Sequence, residues 1–384
     1  MKLLKFNRFV LASFLLILYV VIINRASYLY SLVDFLFILS IIILYKIQFK
    51  KVFGILVLIS FFYLVIGILN SNRFEYIFTD FLSFTPLIFL VLENENFKND
   101  FLNNKLFGLN KILPYLIIAS VGLFIYMGYD ISSTLIARFA YDSDSKLTLF
   151  APLTPIFFVS FIICYKKTIY NRFFAYLGAL LILFMGFITQ TKTVFIPIIF
   201  ALVLRTIFGG SLVSKIKFFL VLLFFISIIL LIINKYIPES LSSFTDKFNS
   251  NNDSNTDRIE ESMNYLRQCN VLQLLFGKGF GGIKIFHGED YIGGVNMIHF
   301  GVVHLIMKGG ILLLALMYFP LIYIIVNDSI GGNYSYVSMA IVFMIMDIGH
   351  TQWISLLNML MYWILVYFRF YRNFKFHKQN QDQH

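Results

Sequence analysis

His299 and His304 stand five residues apart in an apolar run over residues 297–307. An imidazole with an ordinary pKa of about 6.5 can accept a proton near neutrality. If the run is helical, the two rings point about 140° apart, too far round to grip one metal ion together. Each is therefore read singly, as an interfacial or hydrogen-bonded histidine or as a proton acceptor. Arg258 offers a planar fork suited to phosphate oxygens or, more plainly, a surface partner for Glu261 three residues on. Asp34, Asp80, Asp347 and His350 each interrupt an apolar stretch, where an ionisable group is expensive and for that reason a candidate for function. The run Gly277-Lys278-Gly279-Phe280-Gly281-Gly282 has the spacing of a dinucleotide fingerprint, but that pattern has meaning only between a strand and a helix of a βαβ unit. Following a helix in a long loop, it reads as a hydrated turn. Cys164 and Cys269 belong to no CxxC or Cys/His cluster, so nothing points to a structural metal.

What must position these groups is a membrane bundle. Of 384 residues, 59% are hydrophobic and 13% charged, and mean hydropathy is +0.81, a surface that water would not dissolve. A hydrocarbon core about 30 Å thick takes roughly 20 apolar residues as a helix, and such stretches recur between short polar clusters. The alternating strands of a barrel are missing, and a helix closes its own backbone hydrogen bonds in lipid. The expected spans are 9–23, 29–45, 52–69, 76–92, 112–129, 148–164, 173–189, 194–208, 216–233, 311–326, 336–350 and 352–370. The expected fold class is an all-α polytopic membrane protein of about twelve transmembrane helices, a single integral membrane domain over residues 1–384. Lys2, Lys5 and Arg8 precede the first run as in a signal peptide, yet no small-residue cleavage site follows, so that run is read as a retained span.

Orientation follows from charge, because short cytoplasmic loops retain Lys and Arg during insertion. On the side shared with both termini lie Lys2, Lys5, Arg8, Lys46, Lys50, Lys51, Lys98, Lys105, Lys111, Lys166, Lys167, Arg172, Arg205, Lys215, Lys217, Arg369, Arg372, Lys375 and Lys378. The short loops opposite hold only Arg25, Arg73, Arg138, Lys146 and Lys192. Both termini are therefore expected in the cytoplasm. The net charge of +11 is mostly a topology signal, and no basic face of a soluble module suggests nucleic acid. Asp34, Asp80, Asp347 and His350 all fall in the outer leaflet, which fits a polar cavity opening outward better than a carrier site at the midplane.

One loop stands apart, an extracytoplasmic segment over residues 234–297, and loops this long usually have a function. It opens on a polar stretch over residues 240–257. Thr256 or Asp257 then caps a helix on which Ile259, Met263, Leu266 and Leu274 repeat at near-helical spacing, a face expected against the membrane or the bundle. That helix is expected to end at Gly277. Lys308-Gly309-Gly310 separates the histidine run from the next span.

Taken together, the chain resembles the bacterial O-antigen and capsular polysaccharide repeat-unit polymerases and the related O-antigen ligases. Thr189-Gln190-Thr191-Lys192-Thr193 is similar to that family's Ser-x-Ser-Arg/Lys segment, and Arg138 resembles a further loop arginine. Thr256-Asp257-Arg258, with Leu275-Phe276-Gly277-Lys278-Gly279-Phe280-Gly281 about twenty residues later, resembles its TGR and FGxGxG pattern. His299, eleven residues before Gly310, resembles its His-Asn segment leading into a span that starts on Gly. Phe300 replaces the usual Asn and Asp257 the usual Gly, and the Gly- and Asn-rich pattern after Arg138 is missing. The resemblance implies a membrane glycosyltransferase of the bacterial inner (plasma) membrane acting in capsule or lipopolysaccharide biosynthesis. It would move a growing glycan from undecaprenyl diphosphate onto another lipid-linked oligosaccharide repeat unit, with inversion and with no metal or cofactor. Arg258, Lys192 and Arg138 would bind the diphosphate and His299 would be the catalytic base. A chain-length regulator and a flippase would be partners in the same membrane. The alternatives are an O-antigen ligase or a lipid-linked oligosaccharide flippase or other transporter.

The orientation is checked by placing single cysteines at Ser250 and Ser329 and labelling intact cells with an impermeant thiol reagent. Ser250 should label and Ser329 should not; the reverse pattern inverts the topology.

Overall fold

Helix dominates wherever apolar residues run on without a polar break. The computed structural model describes residues 30–45, 53–84, 192–208, 253–287, 292–295, 298, 300–331 and 334–349, with isolated helical positions between 15 and 18, 179 and 183, 213 and 231, and 359 and 366. Three helices come first: α1 (Tyr30–Tyr45), α2 (Phe53–Leu69) and α3 (Phe74–Phe84). A tight turn reverses the chain between α2 and α3, with Ser71 at a φ of 55° and the Asn72 amide bonded to the Gly67 carbonyl. Next is α4 (Lys192–Phe208), which runs straight through Pro197. The large loop contributes α5 (Asp253–Gln268), α6 (Val271–Phe276) and the antiparallel strands β1 (Lys284–His287) and β2 (Ile292–Val295). Then follow α7 (Gly301–Ile330) and α8 (Tyr334–Gly349).

Among the described residues, α7 alone is long and apolar enough to cross a membrane, while Leu58–Leu69 and Tyr336–Ile348 are shorter apolar helices. Large apolar side chains stand exposed along α2 (Leu58, Phe61, Phe62, Val65) and α7 (Phe319, Ile322, Val326), a surface suited to lipid rather than water. The expected spans at 29–45, 52–69, 194–208 and 336–350 coincide with α1, α2, α4 and α8. Those at 112–129 and 148–164 lie outside the described residues.

The loop departs from expectation in three ways. It carries a two-stranded hairpin, so the description as wholly helical fails there. Helix α5 begins at Asp253, which puts Thr256 and Asp257 inside it rather than at its cap. It also stops at Gln268, because Asn270 starts a separate helix: its side chain accepts the Gln273 amide at 2.8 Å while Gln273 Oε1 accepts the Asn270 amide at 3.2 Å. This reciprocal capping satisfies two of the donors that a helix start leaves unpaired.

Packing sets directions. α8 packs along both α7 and α4, and the Phe208 and Tyr334 rings stack at 4.6 Å, so the end of α4 meets the start of α8. The three helices alternate in direction, and Lys192, Asp347 and Gly301 share one end of the bundle. Within α7 the ladder breaks at Gly310, whose φ of 66° and ψ of −168° are not helical. A Cβ there would overlap the backbone of Leu275 and Phe276, so the break is where α6 crosses α7 in backbone contact. Gly310→Ala should therefore lower the melting temperature of the detergent-solubilised protein sharply. The positive φ alone costs about 1–3 kcal/mol for a residue with a Cβ, before the overlap is counted.

Candidate functional site

The glycine run 277–282 is the best-organised part of the loop, and it is buried rather than hydrated. Gly277, Gly279 and Gly281 adopt φ of 73°, 79° and 74°, a region open to glycine without steric cost. These turns fold the strand of chain into the angle between α2, α3 and the first part of α7. Gly279 lies on Gly67 so closely that a Cβ on either would overlap the other's segment. Amide after amide is bonded to protein: Gly277 to the Gln273 carbonyl at 2.8 Å, Lys278 to Met307 at 2.7 Å, Phe280 to Tyr63 at 3.0 Å and Gly282 to Gly279 at 3.1 Å. Asparagine side chains serve the carbonyls. Asn70 and Asn72 donate to Lys278 O at 3.0 and 2.8 Å, and Asn72 donates also to Phe280 O at 2.9 Å. The expectation of a hydrated turn fails because α2 and α7 supply carbonyl acceptors for the loop amides, and the asparagines of the turn after α2 supply the donors that water would have given.

At the centre lies an ion pair. Asp80 Oδ2 meets Lys308 Nζ at 2.7 Å with both side chains almost wholly buried, and it also accepts the Gly281 amide at 2.7 Å. Lys308 Nζ donates in addition to the Gly282 carbonyl at 2.9 Å. Asp80 is thus consumed by a clamp and does not line an outward cavity. Lys308, read from sequence as part of a separator, is its partner. A lysine seven residues into an apolar helix was the available signal, since such a cation seeks a carboxylate.

A second buried pair joins α7 to α8. Tyr318 donates its hydroxyl to Asp347 Oδ2 at 2.5 Å, and the Asp347 carboxylate lies directly against Gly301, where a Cβ would collide with it. This places Asp347 two residues along the chain from His299. His299 itself, His350 and Arg138 lie outside the described residues. His304 is fully buried, and its Nδ1 accepts the Ile298 amide at 3.4 Å, so it is a structural residue of the α7 start rather than an interfacial one.

Of the apolar stripe expected on α5, Leu266 packs inward against the bundle. Ile259 and Met263 stand exposed, whereas Ser262 and Tyr265 are buried and Cys269 is half-buried. Tyr265 packs with Ile298, Val303 and Met307, flanked by Phe300, so α5 meets the segment on both sides of position 299. Lys278 Nζ lies 5.2 Å from the Tyr265 ring centre, a cation–π contact, and also donates to Ile283 O at 3.1 Å. Burial, aided by Cys269, pushes the Tyr265 phenol well above its ordinary range and keeps it protonated. Position 258 lies within α5, about two helical turns before Tyr265. Lys192 is the first residue of α4, at the bundle end that also holds Asp347 and Gly301. The start of α4 and the start of α7 are thus brought to one end of the bundle, and α5 meets the residues on either side of position 299 through Tyr265. The chain matches no family model, no curated protein and no solved structure.

The clamp is tested by a charge cycle. Lys308→Met strands the Asp80 carboxylate in the interior, which should cost about 3–5 kcal/mol. Adding Asp80→Asn should recover much of that loss, because an amide oxygen can still accept the Gly281 amide. Equal melting temperatures for the single and double variants would show that the pair is not the clamp.

Proposed function

We propose that this chain is a polysaccharide repeat-unit polymerase of the bacterial inner membrane, with about twelve spans and both ends in the cytoplasm. It joins undecaprenyl-diphosphate-linked oligosaccharides at the outer face. The observation that supports this reading is the packing of α5, through Tyr265, on Ile298 and Phe300 at the bundle end where α4 also begins. In the reaction, a hydroxyl of the acceptor's terminal sugar attacks the anomeric carbon of the donor glycan from the face opposite the diphosphate. The bond from that carbon to the diphosphate oxygen breaks, and its electron pair leaves with the diphosphate. Arg258 and Lys192, with Arg138, stabilise the departing charge, arginine through bidentate contacts and lysine as a point charge. His299 takes the hydroxyl proton. Asp347, whose carboxylate rests against Gly301 two residues after position 299, is proposed to orient that imidazole, and either Asp347 or His350 could replace it as base.

The broken helix α7, with charged residues at the break, is the feature that would suit a flippase or other transporter, since carriers bind cargo where helices are interrupted. Here the break is filled by the backbone of Leu275 and Phe276, which favours a fixed structural crossing over a cargo site. Ligation differs from polymerisation only in its acceptor.

Purified protein in liposomes with lipid-linked repeats separates these readings. The wild type should lengthen the glycan. His299→Ala and His299→Gln should slow it about 10²- to 10⁴-fold without loss of folded protein. Arg258→Ala should abolish polymer, Arg258→Lys should restore part of it, and Lys192→Arg should be tolerated far better than Lys192→Ala. Activity should fall at acidic pH as the base becomes protonated. Unmodified rates in His299→Ala and Arg258→Ala defeat the assignment. His304→Ala is no neutral control, because it removes the acceptor for the Ile298 amide.

A further inference from the structure

We infer that residues 271–282 form a re-entrant element seated within a membrane leaflet, with Val271, Leu272 and Leu275 against lipid acyl chains. The loop's contacts with its neighbours measure how deep it lies. Along α2 they reach down to Phe62, whose ring meets Phe276 at 6.0 Å, and to the Tyr63 carbonyl that accepts from Phe280. Phe62 is seven residues inside the Leu69 end of α2, a depth of about 10 Å at 1.5 Å per residue. Along α3 the loop reaches Asp80, six residues inside Phe74, or about 9 Å. The two helices agree on the same depth. The boundary from which it is measured is marked by exposed Arg73 and Glu75 at the start of α3.

Two further observations suit a hydrocarbon setting. Non-helical backbone is tolerated at membrane depth only where protein satisfies it. Of the six amides from Gly277 to Gly282, those of Gly277, Lys278, Phe280, Gly281 and Gly282 donate to protein acceptors. The carbonyls of Lys278, Phe280, Gly282 and Ile283 accept from Asn70, Asn72, Lys308 and Lys278 side chains. The outer face of α6 is the reverse, bare and apolar. The helix buries none of its residues, and Val271 and Leu272 are 72% and 67% exposed. That face adjoins Phe62 of α2 across the Phe276 contact, and Ile311 and Leu312 of α7 across the Gly310 crossing, all of them exposed and apolar. One apolar surface therefore runs unbroken from the two helices onto α6. Its occupant is the same lipid. The inference rests on α2, α3 and α7 lying in a bilayer and not on any reaction.

The test uses the full chain with Trp353 and Trp363 replaced by phenylalanine, a single tryptophan added, and reconstitution into nanodiscs of dioleoyl- or dibromostearoyl-phosphatidylcholine. Leu272→Trp should emit at shorter wavelength than Gln268→Trp on the exposed side of α5, lose much of its emission in the brominated lipid, and resist aqueous iodide. Val271→Trp provides a second reporter on the same face if Leu272→Trp is poorly folded. Strong iodide quenching of the α6 reporters, equal to that of Gln268→Trp, would place the helix in water and overturn the inference. Shielding from iodide and bromine alike would mean that protein covers the face, such as a second copy of the chain, and would overturn it equally.

Discussion

The pairing of Asp80 with Lys308 is the interaction on which the described structure turns. Two opposite charges withdrawn from water are tolerated only when each finds the other and their remaining hydrogen-bonding capacity is also met. Here the carboxylate takes the Gly281 amide and the ammonium gives to the Gly282 carbonyl, so the pair can exist only with the glycine loop in place between them. The dependence is mutual. Removing the loop would leave both charges short of partners, and removing either charge would leave loop backbone unsatisfied. Three regions distant in sequence, the α3 carboxylate, the loop and the α7 ammonium, are thereby made one unit.

That constraint sets what the surrounding residues can be. Gly67 and Gly279 must be glycines because the loop backbone crosses α2 with no room for a Cβ. Gly310 must break α7 because α6 crosses it in the same way. Asn70 and Asn72, in the turn after α2, take the place of solvent for two loop carbonyls. Each is a local oddity alone, and all are explained by a loop descending between helices. With the loop held, α5 is fixed above it through the Lys278 contact with Tyr265, and the inward stripe of α5 meets the start of α7.

The apolar helices were legible in the sequence because their signal is additive: a run of Val, Ile, Leu and Phe in 53–69 or 334–349 needs no partner to declare itself. Pairwise features were not legible. Asp80 and Lys308 were both visible as ionisable residues in apolar runs, but their separation of more than two hundred residues gave no reason to join them. The glycine run misled for a related reason, since glycines at those positions suit a free turn and a buried crossing equally well until Gly67 and the asparagines are placed. On α5 the conspicuous spacing of Ile259, Met263 and Leu266 pointed to a single apolar stripe, of which Leu266 packs against the bundle while Ile259 and Met263 stand exposed. The inward face is carried by Ser262, Tyr265 and Cys269, whose mixed polarity hides its period. Of the candidate site, the placing of Lys192 at the start of α4 and of Arg258 within a loop helix followed from the sequence, whereas the contact of Asp347 with Gly301 required the fold.

The cations of this chain then divide by depth. Lys308 is spent on Asp80 and the Gly282 carbonyl, so its charge is neutralised where it stands. Lys278 is held between Ile283 O and the Tyr265 ring. Lys192 begins α4, at the bundle end that also holds Asp347 and Gly301, and position 258 lies two helical turns before Tyr265. On the proposed reading this division is what the chemistry requires. A lipid-linked diphosphate is confined to the membrane boundary by its own tail, and charge developing on it is stabilised more strongly beside low-dielectric protein than in bulk water. A cation buried at the clamp would be too deep and already neutralised. A cation at the helix ends, above a loop that closes the space beneath it, meets the diphosphate where the tail delivers it.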